Sequence, residues 1–193
     1  MKRKKRIPIL RALQEAGARV GLRMVIFRTA PVKECDMNHK KYMRAAIKSA
    51  YEGIAEKEGG PFGACIVHKG KVIAIAHNTV LRDNDPTCHA EINGIRAACQ
   101  ILKTPFLRGC TVYSTTEPCP MCFSAIHWAQ CKNIVYGTAI EDVARLGFNE
   151  LSIHNDTLIA MGRSPILIAA KNVLMPECQN LLLAWRKSNL KTY

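Results

Sequence analysis

Helix-like and strand-like stretches alternate along this 193-residue chain, and the alternation predicts an α/β protein: a three-layer α/β/α sandwich around a five-stranded mixed sheet. Three observations carry that expectation. Apolar residues recur every four positions over 38–58. Two β-rich runs flank a Lys-Gly turn at 69–70. Further on, two segments rich in potential metal ligands each open a helix-like stretch directly after loop or strand.

Over 38–58, Tyr42, Ala46, Ala50 and Ile54 make one apolar face, with Asn38 as N-cap and Gly59-Gly60-Pro61 as the stop. Phe62 to His68 and Lys71 to His77 form a hairpin, and Asn78 ends its second run. The stretch Leu81 to Thr87 is full of turn formers and reads as a loop. A second helix follows over 89–102, with Ile92, Ile95, Ala98 and Ile101 facing the core. Cys110 to Thr115 is a strand. Pro120 suits the first turn of a helix running to Trp128. Asn133 to Gly137 is the next strand, and a weak helix follows. Ile166 to Ala170 is the fifth strand, and 176–191 the C-terminal helix.

Residues 1–36 fit none of this. They hold ten Lys and Arg against three Asp and Glu, a net of +7 out of the chain's +13, so over half the excess charge lies outside the domain expected over 37–193. The segment reads as a basic extension, disordered or not native, with Met37 as a candidate start. Arg11, Arg19 and Arg23 break the apolar core a signal peptide needs, and the absence of serine argues against a mitochondrial presequence. A basic tail can bind phosphates nonspecifically without identifying a substrate. Nine irregularly scattered cysteines do not make a secreted disulfide framework, so the expected compartment is the reducing cytoplasm. No apolar run approaches membrane-spanning length.

The chemistry concentrates between Cys88 and Cys122. His89, Cys119 and Cys122 are three potential zinc ligands, and three protein ligands leave the fourth tetrahedral position for water, the pattern of a catalytic site. Zinc would bring that water's pKa near neutrality. Glu91, two residues from His89, is placed to take the proton and pass it to a departing nitrogen. The plain structural alternative is a closed site with Cys88 as fourth ligand.

His89-Ala90-Glu91 followed by Pro118-Cys119-Pro120-Met121-Cys122 resembles the zinc-dependent cytidine deaminase-like superfamily. Within it the chain looks most like bacterial guanine deaminases, through Gly60-Pro61-Phe62-Gly63-Ala64, Asn84-Asp85-Pro86-Thr87, Glu117-Pro118-Cys119-Pro120-Met121-Cys122, Ala125-Ile126-His127-Trp128-Ala129, Gly147-Phe148 and the ending from Ala184-Trp185-Arg186 to Tyr193. The resemblance implies hydrolysis of guanine to xanthine and ammonia with one Zn2+ per subunit, held by His89, Cys119 and Cys122, and Glu91 as proton shuttle. It implies that Asn78 meets the purine edge and that Phe62 packs on the ring opposite His89, with Ala90 and Trp128 also at the substrate. Glu150 would assist proton transfer or base recognition. Tyr193 would close the site of a partner subunit through a swapped C-terminal segment, making a homodimer.

Each residue has a plain counterpart: Asn78 as a strand cap, Phe62 and Trp128 as core, Tyr193 as a frayed end. The relatives' pattern after Gly-Phe carries two aspartates, where this chain has Asn149 and Glu150. A tRNA adenosine deaminase, a deaminase of cytosine or another aminated ring, and a noncatalytic scaffold are the competing readings. His77, His127 and His154 are expected at the surface or in the core.

Overall fold

The computed structural model describes residues 32–188, 190 and 192, with side chains from residue 38 onward. In chain order the elements are α1 (Val32–Glu56), β1 (Gly63–His68), β2 (Lys71–His77), a short α2 (Val80–Asp83), α3 (Ala90–Leu102), β3 (Cys110–Thr116), α4 (Pro120–Trp128), β4 (Asn133–Thr138), α5 (Ile140–Ala144), α6 (Asn155–Gly162), β5 (Leu167–Ala170) and α7 (Met175–Lys187). The expectations for residues 1–31 and for Tyr193 fall outside the described residues.

The five strands form one sheet in the order β2-β1-β3-β4-β5. β1 pairs antiparallel with both β2 and β3, whereas β3, β4 and β5 run parallel, so the sheet is mixed as expected. Its central strands are apolar on both faces because both faces are covered. Ile66, Val112 and Ile134 point to one side, where Ala98 of α3 and Phe123 and Ile126 of α4 meet them. Cys65, Val67, Tyr113 and Val135 point to the other, against Met43 and Ala46 of α1 and Leu181 of α7. That is the three-layer arrangement. The fit between β4 and α7 is close: a Cβ on Gly137 would lie 2.3 Å from the Cys178 Sγ and 2.6 Å from the Thr115 carbonyl. Among the described residues no helix is long and apolar enough to cross a membrane.

Several boundaries differ from the sequence expectation. α1 begins at Val32, so Asn38 is an exposed residue within the helix and not its cap. No glycine or proline lies between Val32 and Gly53, so nothing in that stretch interrupts the helix. Val80 to Asp83 forms a helical turn, closed by Asn84 in the left-handed region (φ 50°) that asparagine tolerates. α7 stops at Lys187. On α3 the core stripe is Ile95, Ala98, Cys99 and Leu102, the three-four spacing of a helix face. Ile101 falls off that stripe and is 61% exposed.

Candidate active site

The layering decides where the chemistry lies. α3 and α4 cover the same face of the sheet, and each begins with a candidate ligand. His89 is the N-cap of α3 (φ −68°, ψ 156°), and Cys119 is the N-cap of α4 (φ −61°, ψ 165°) with Pro120 in its first turn. Cys122 follows in the first turn of α4. Both helices thus aim the positive ends of their dipoles at one point, which favours thiolates there.

The Nδ1 of His89 lies 3.7 Å from the Sγ of Cys119 and 3.5 Å from the Sγ of Cys122. A tetrahedral zinc with ordinary Zn–N and Zn–S bonds separates nitrogen from sulfur by roughly 3.5 Å. The three donors therefore sit at coordination spacing, and all of them lie within 4.8 Å of one another. Without a cation the thiols divide one charge: the hydrogen bond from Cys122, and then His89, pulls Cys119 down to about 4. Cys122, which donates that bond from a buried position, is held far above its ordinary value. Burial works against the charged form of His89, but Cys119, Glu91 and Glu150 outweigh it and leave the imidazole's pKa raised. A dication bound by these donors would satisfy both sulfurs as thiolates.

Glu91, in the first turn of α3, is 6% exposed. Its Oε1 accepts a 2.8 Å hydrogen bond from the Ser114 hydroxyl on β3, and its Oε2 lies 3.4 Å from the Cys122 Sγ. Burial, followed by the negative Cys119, raises its pKa, because both disfavour the charged form. Glu150 reaches the same cluster from the segment between α5 and α6. Burial, then Cys119 and Glu91, pushes it up to about 7, and its Oε2 is buried without a hydrogen-bond partner. Neighbouring Asn149 faces solvent.

Asn78 is fully buried at the end of β2. Its Oδ1 accepts from the backbone N–H of Gly60 (3.1 Å) and of Val80 (3.1 Å), which fixes the amide with its oxygen against the backbone. The Gly59-Gly60 turn wraps it so closely that a Cβ on Gly59 would lie 2.2 Å from that Oδ1. Phe62 and Ala90 pack in one cluster with Phe148 and Trp185, and the Phe62 and Phe148 rings meet edge to face at 5.1 Å. Phe62 is 7% exposed, so its core packing holds whatever it does toward a ligand.

Trp128 departs from the expectation of a core residue. It is 81% exposed, at the opposite end of α4 from Cys119, beside a groove of about 520 Å3 that Arg108, His127, Gln130 and Pro165 also line. Nine helical residues span about 13 Å, so the end that carries Trp128 is remote from the ligand end of its own subunit.

Sequence reasoning missed four groups. Ser114 was readable only from the alternation of β3, which puts it on the same face as Val112, toward α3. Asn93 of α3 donates to Thr79 Oγ1 (2.8 Å) and to the carbonyls of His77 (3.0 Å) and Cys88 (3.3 Å), tying the Asn78 corner to the turn that carries His89. His77 is not idle either: its ring lies 3.1 Å from Ser49 Oγ and 2.7 Å from Glu58 Oε2. Arg82 pairs with the same Glu58 oxygen at 2.8 Å, which neutralises the only other His/acid grouping among the described residues that could invite a cation. The fourth is the pair His154 and Asn155, which hold the buried carboxylate of Glu117.

The family described as the cytidine and deoxycytidylate deaminase zinc-binding region matches residues 36–138. A guanine deaminase from Bacillus subtilis (strain 168) is 39% identical over 158 residues, covering 81% of this chain and all of that relative. Among solved structures, a guanine deaminase from Bacillus subtilis superposes with a TM-score of 0.57 at 45% identity, over 59% of this chain and 73% of that one. A tRNA:A34 deaminase studied for A-to-I editing at the wobble position gives 0.63 at 28% identity, over 73% and 98%.

Proposed function

This chain belongs to the family of zinc-binding cytidine and deoxycytidylate deaminases, and on that premise we propose that it hydrolyses the amino group of a free nucleobase, converting guanine to xanthine and ammonia. The observation that carries the reaction type is the triad of His89, Cys119 and Cys122 at zinc spacing with the buried Glu91 beside it. The choice of guanine is supported by the full-length match to the Bacillus subtilis relative.

When bound, zinc supplies Lewis acidity and a water that ionises near neutral pH. Glu91 accepts the water's proton and delivers it to the ring nitrogen next to C2, the amino-bearing carbon. As the new C–O bond forms, that nitrogen takes the electron pair of its double bond to C2. A second proton, from the new hydroxyl, passes to the amine; the C–N bond breaks and ammonia leaves. Burial raises the Glu91 carboxyl above the ordinary carboxylate range, which makes it a better proton acceptor than a solvated carboxylate. Ser114 keeps the carboxyl from rotating away between the two transfers. Glu150, which burial raises above the ordinary carboxylate range, assists at the leaving amine. Asn78, with its oxygen committed to the backbone, acts toward the base as a donor. Phe62, Ala90 and the His89 ring bound the purine plane.

The same reading makes the enzyme a homodimer whose Tyr193 closes the partner's site. In that dimer the second subunit would cover Trp128 and the groove beside it, which would also bring that ring toward a substrate.

Ammonia release by the zinc-loaded protein is the test, on guanine, guanosine, adenine, cytosine, cytidine, isoguanine, ammeline and an anticodon stem-loop RNA. Selective turnover of guanine is the expected result. Activity confined to the RNA would replace the substrate by tRNA, and turnover of another small ring would move the revision to Asn78 and Glu150.

A further inference from the structure

His154 stands directly before α6, and both of its ring nitrogens meet carboxylates from different elements. Nδ1 lies 3.1 Å from Oε2 of Glu117, and Nε2 lies 2.8 Å from Oε1 of Glu141 on α5. An acceptor at each nitrogen favours the doubly protonated imidazolium, in which both ring nitrogens donate. The two carboxylates are not equivalent. The Glu141 side chain is 55% exposed and hydrated, but that of Glu117 is 1% exposed and needs a compensating partner. Glu117 precedes Pro118-Cys119, the turn that delivers the first sulfur. Its Oε1 takes the backbone N–H of Asn155 at 2.8 Å, and the Asn155 side chain donates to the Pro118 carbonyl at 2.6 Å.

The segment so tied, 147–153, has no helix or strand of its own. Phe148 anchors one end in the core at 6% exposure. Beyond Glu150, Leu151 and Ile153 are 67% and 39% exposed, so apolar burial does little to hold the other end. That leaves the polar attachment at His154 and Asn155.

We propose that His154 is a positioning residue: through Nδ1 to Glu117 it fixes the far end of the 147–153 segment to the Cys119 turn, and so holds Glu150 at the metal cluster. The inference rests on the role assigned above to Glu150. Its chemistry is the balancing of a buried carboxylate by an imidazolium that is also a structural tether. The protein thereby couples the placement of a ligand turn to the placement of a proton-transfer group.

Four variants of the full-length zinc-loaded protein test it. H154A removes the tether. H154S supplies an N-cap hydroxyl for α6 but cannot reach Glu117. In H154Q the amide nitrogen mimics Nε2, and in H154N it mimics Nδ1. Two readouts are taken on each: kcat and KM with guanine, and backbone hydrogen exchange over 147–153, which needs no substrate. The expected result is a loss of about tenfold in kcat for H154A, H154S and H154Q, with KM within about twofold and one zinc per chain retained. Exchange over 147–153 accelerates in the same three, and H154N restores most of both losses. The proposal is overturned if H154A matches the wild type in kcat and exchange, or if H154N loses as much as H154A. Should the wild type turn over no guanine, the substrate reading fails on its own, and the exchange data still decide whether His154 tethers the segment.

Discussion

Ser114 and Glu91, on neighbouring layers, form a buried pair: the serine hydroxyl donates to Oε1 of the glutamate at 2.8 Å. It is the contact by which the sheet holds the proton carrier that the helix presents. Glu91→Gln, which keeps the shape and removes the titration, should lower kcat by roughly a hundred- to ten-thousand-fold while leaving zinc content unchanged. Ser114→Ala should cost about tenfold in kcat, the scale of a hydrogen bond to a charged group. Wild-type turnover by Glu91→Gln would remove Glu91 from the chemistry.

The Gly59 prediction concerns space. Its missing Cβ would sit 2.2 Å from Asn78 Oδ1 and 2.3 Å from the Asn78 carbonyl, and backbone cannot yield as a flexible side chain does. Gly59→Ala should destabilise the fold by about 1–3 kcal/mol and raise KM more than it lowers kcat. Thermal unfolding and steady-state kinetics read the two effects separately. An unchanged KM would detach Asn78 from substrate binding.

Metal removal gives a third expectation. Chelation should abolish turnover and lower Tm, with both recovered on adding Zn2+, because binding to a preformed site stabilises the folded chain. Cys122→Ser should reduce bound zinc well below one per chain. Full activity in protein stripped of zinc, verified by metal analysis, is the result that would sink the assignment.

The fourth prediction is a pH dependence of stability. Glu117, chiefly by its hydrogen bond and then by its charge, raises the His154 pKa in the folded protein above its ordinary 6.5. A histidine raised in this way stabilises the fold fully below the unfolded value and loses that contribution as pH rises through the folded one. The Tm advantage of wild type over H154A should therefore be largest below about pH 6 and shrink through neutral to alkaline pH. Because the side chain is 46% exposed, the effect is screened and modest. An advantage that grows with pH would contradict the ion pair.

A fifth prediction concerns Trp128. At 81% exposure it contributes little to the fold of its own subunit, so Trp128→Ser should leave Tm of a monomer within the equivalent of about 0.5 kcal/mol. It should weaken self-association in sedimentation, and activity should fall on dilution at concentrations where wild type holds. A monomeric, fully active wild-type protein would exclude the dimer.

The local part of this protein was legible in its residues. Period-four and β-rich runs placed the elements of the sandwich, because burial of one face or both imposes those periods. His89-x-Glu91 and Cys119-x-x-Cys122 announced the metal chemistry because coordination restricts residue types and spacing. What lay beyond the sequence was whatever depends on neighbours distant along the chain. Ile101 looked like core until the three-four stripe of α3 met the sheet, and Trp128 gave no sign that α4 would carry it into solvent. Ser114, His154 and Asn155 belong to no motif. They matter because folding brings them onto carboxylates that lie 23, 37 and 38 residues away along the chain. A hydrogen bond is satisfied by position alone, and only the packing of β3 against α3, and of the start of α6 against the Cys119 turn, creates those positions.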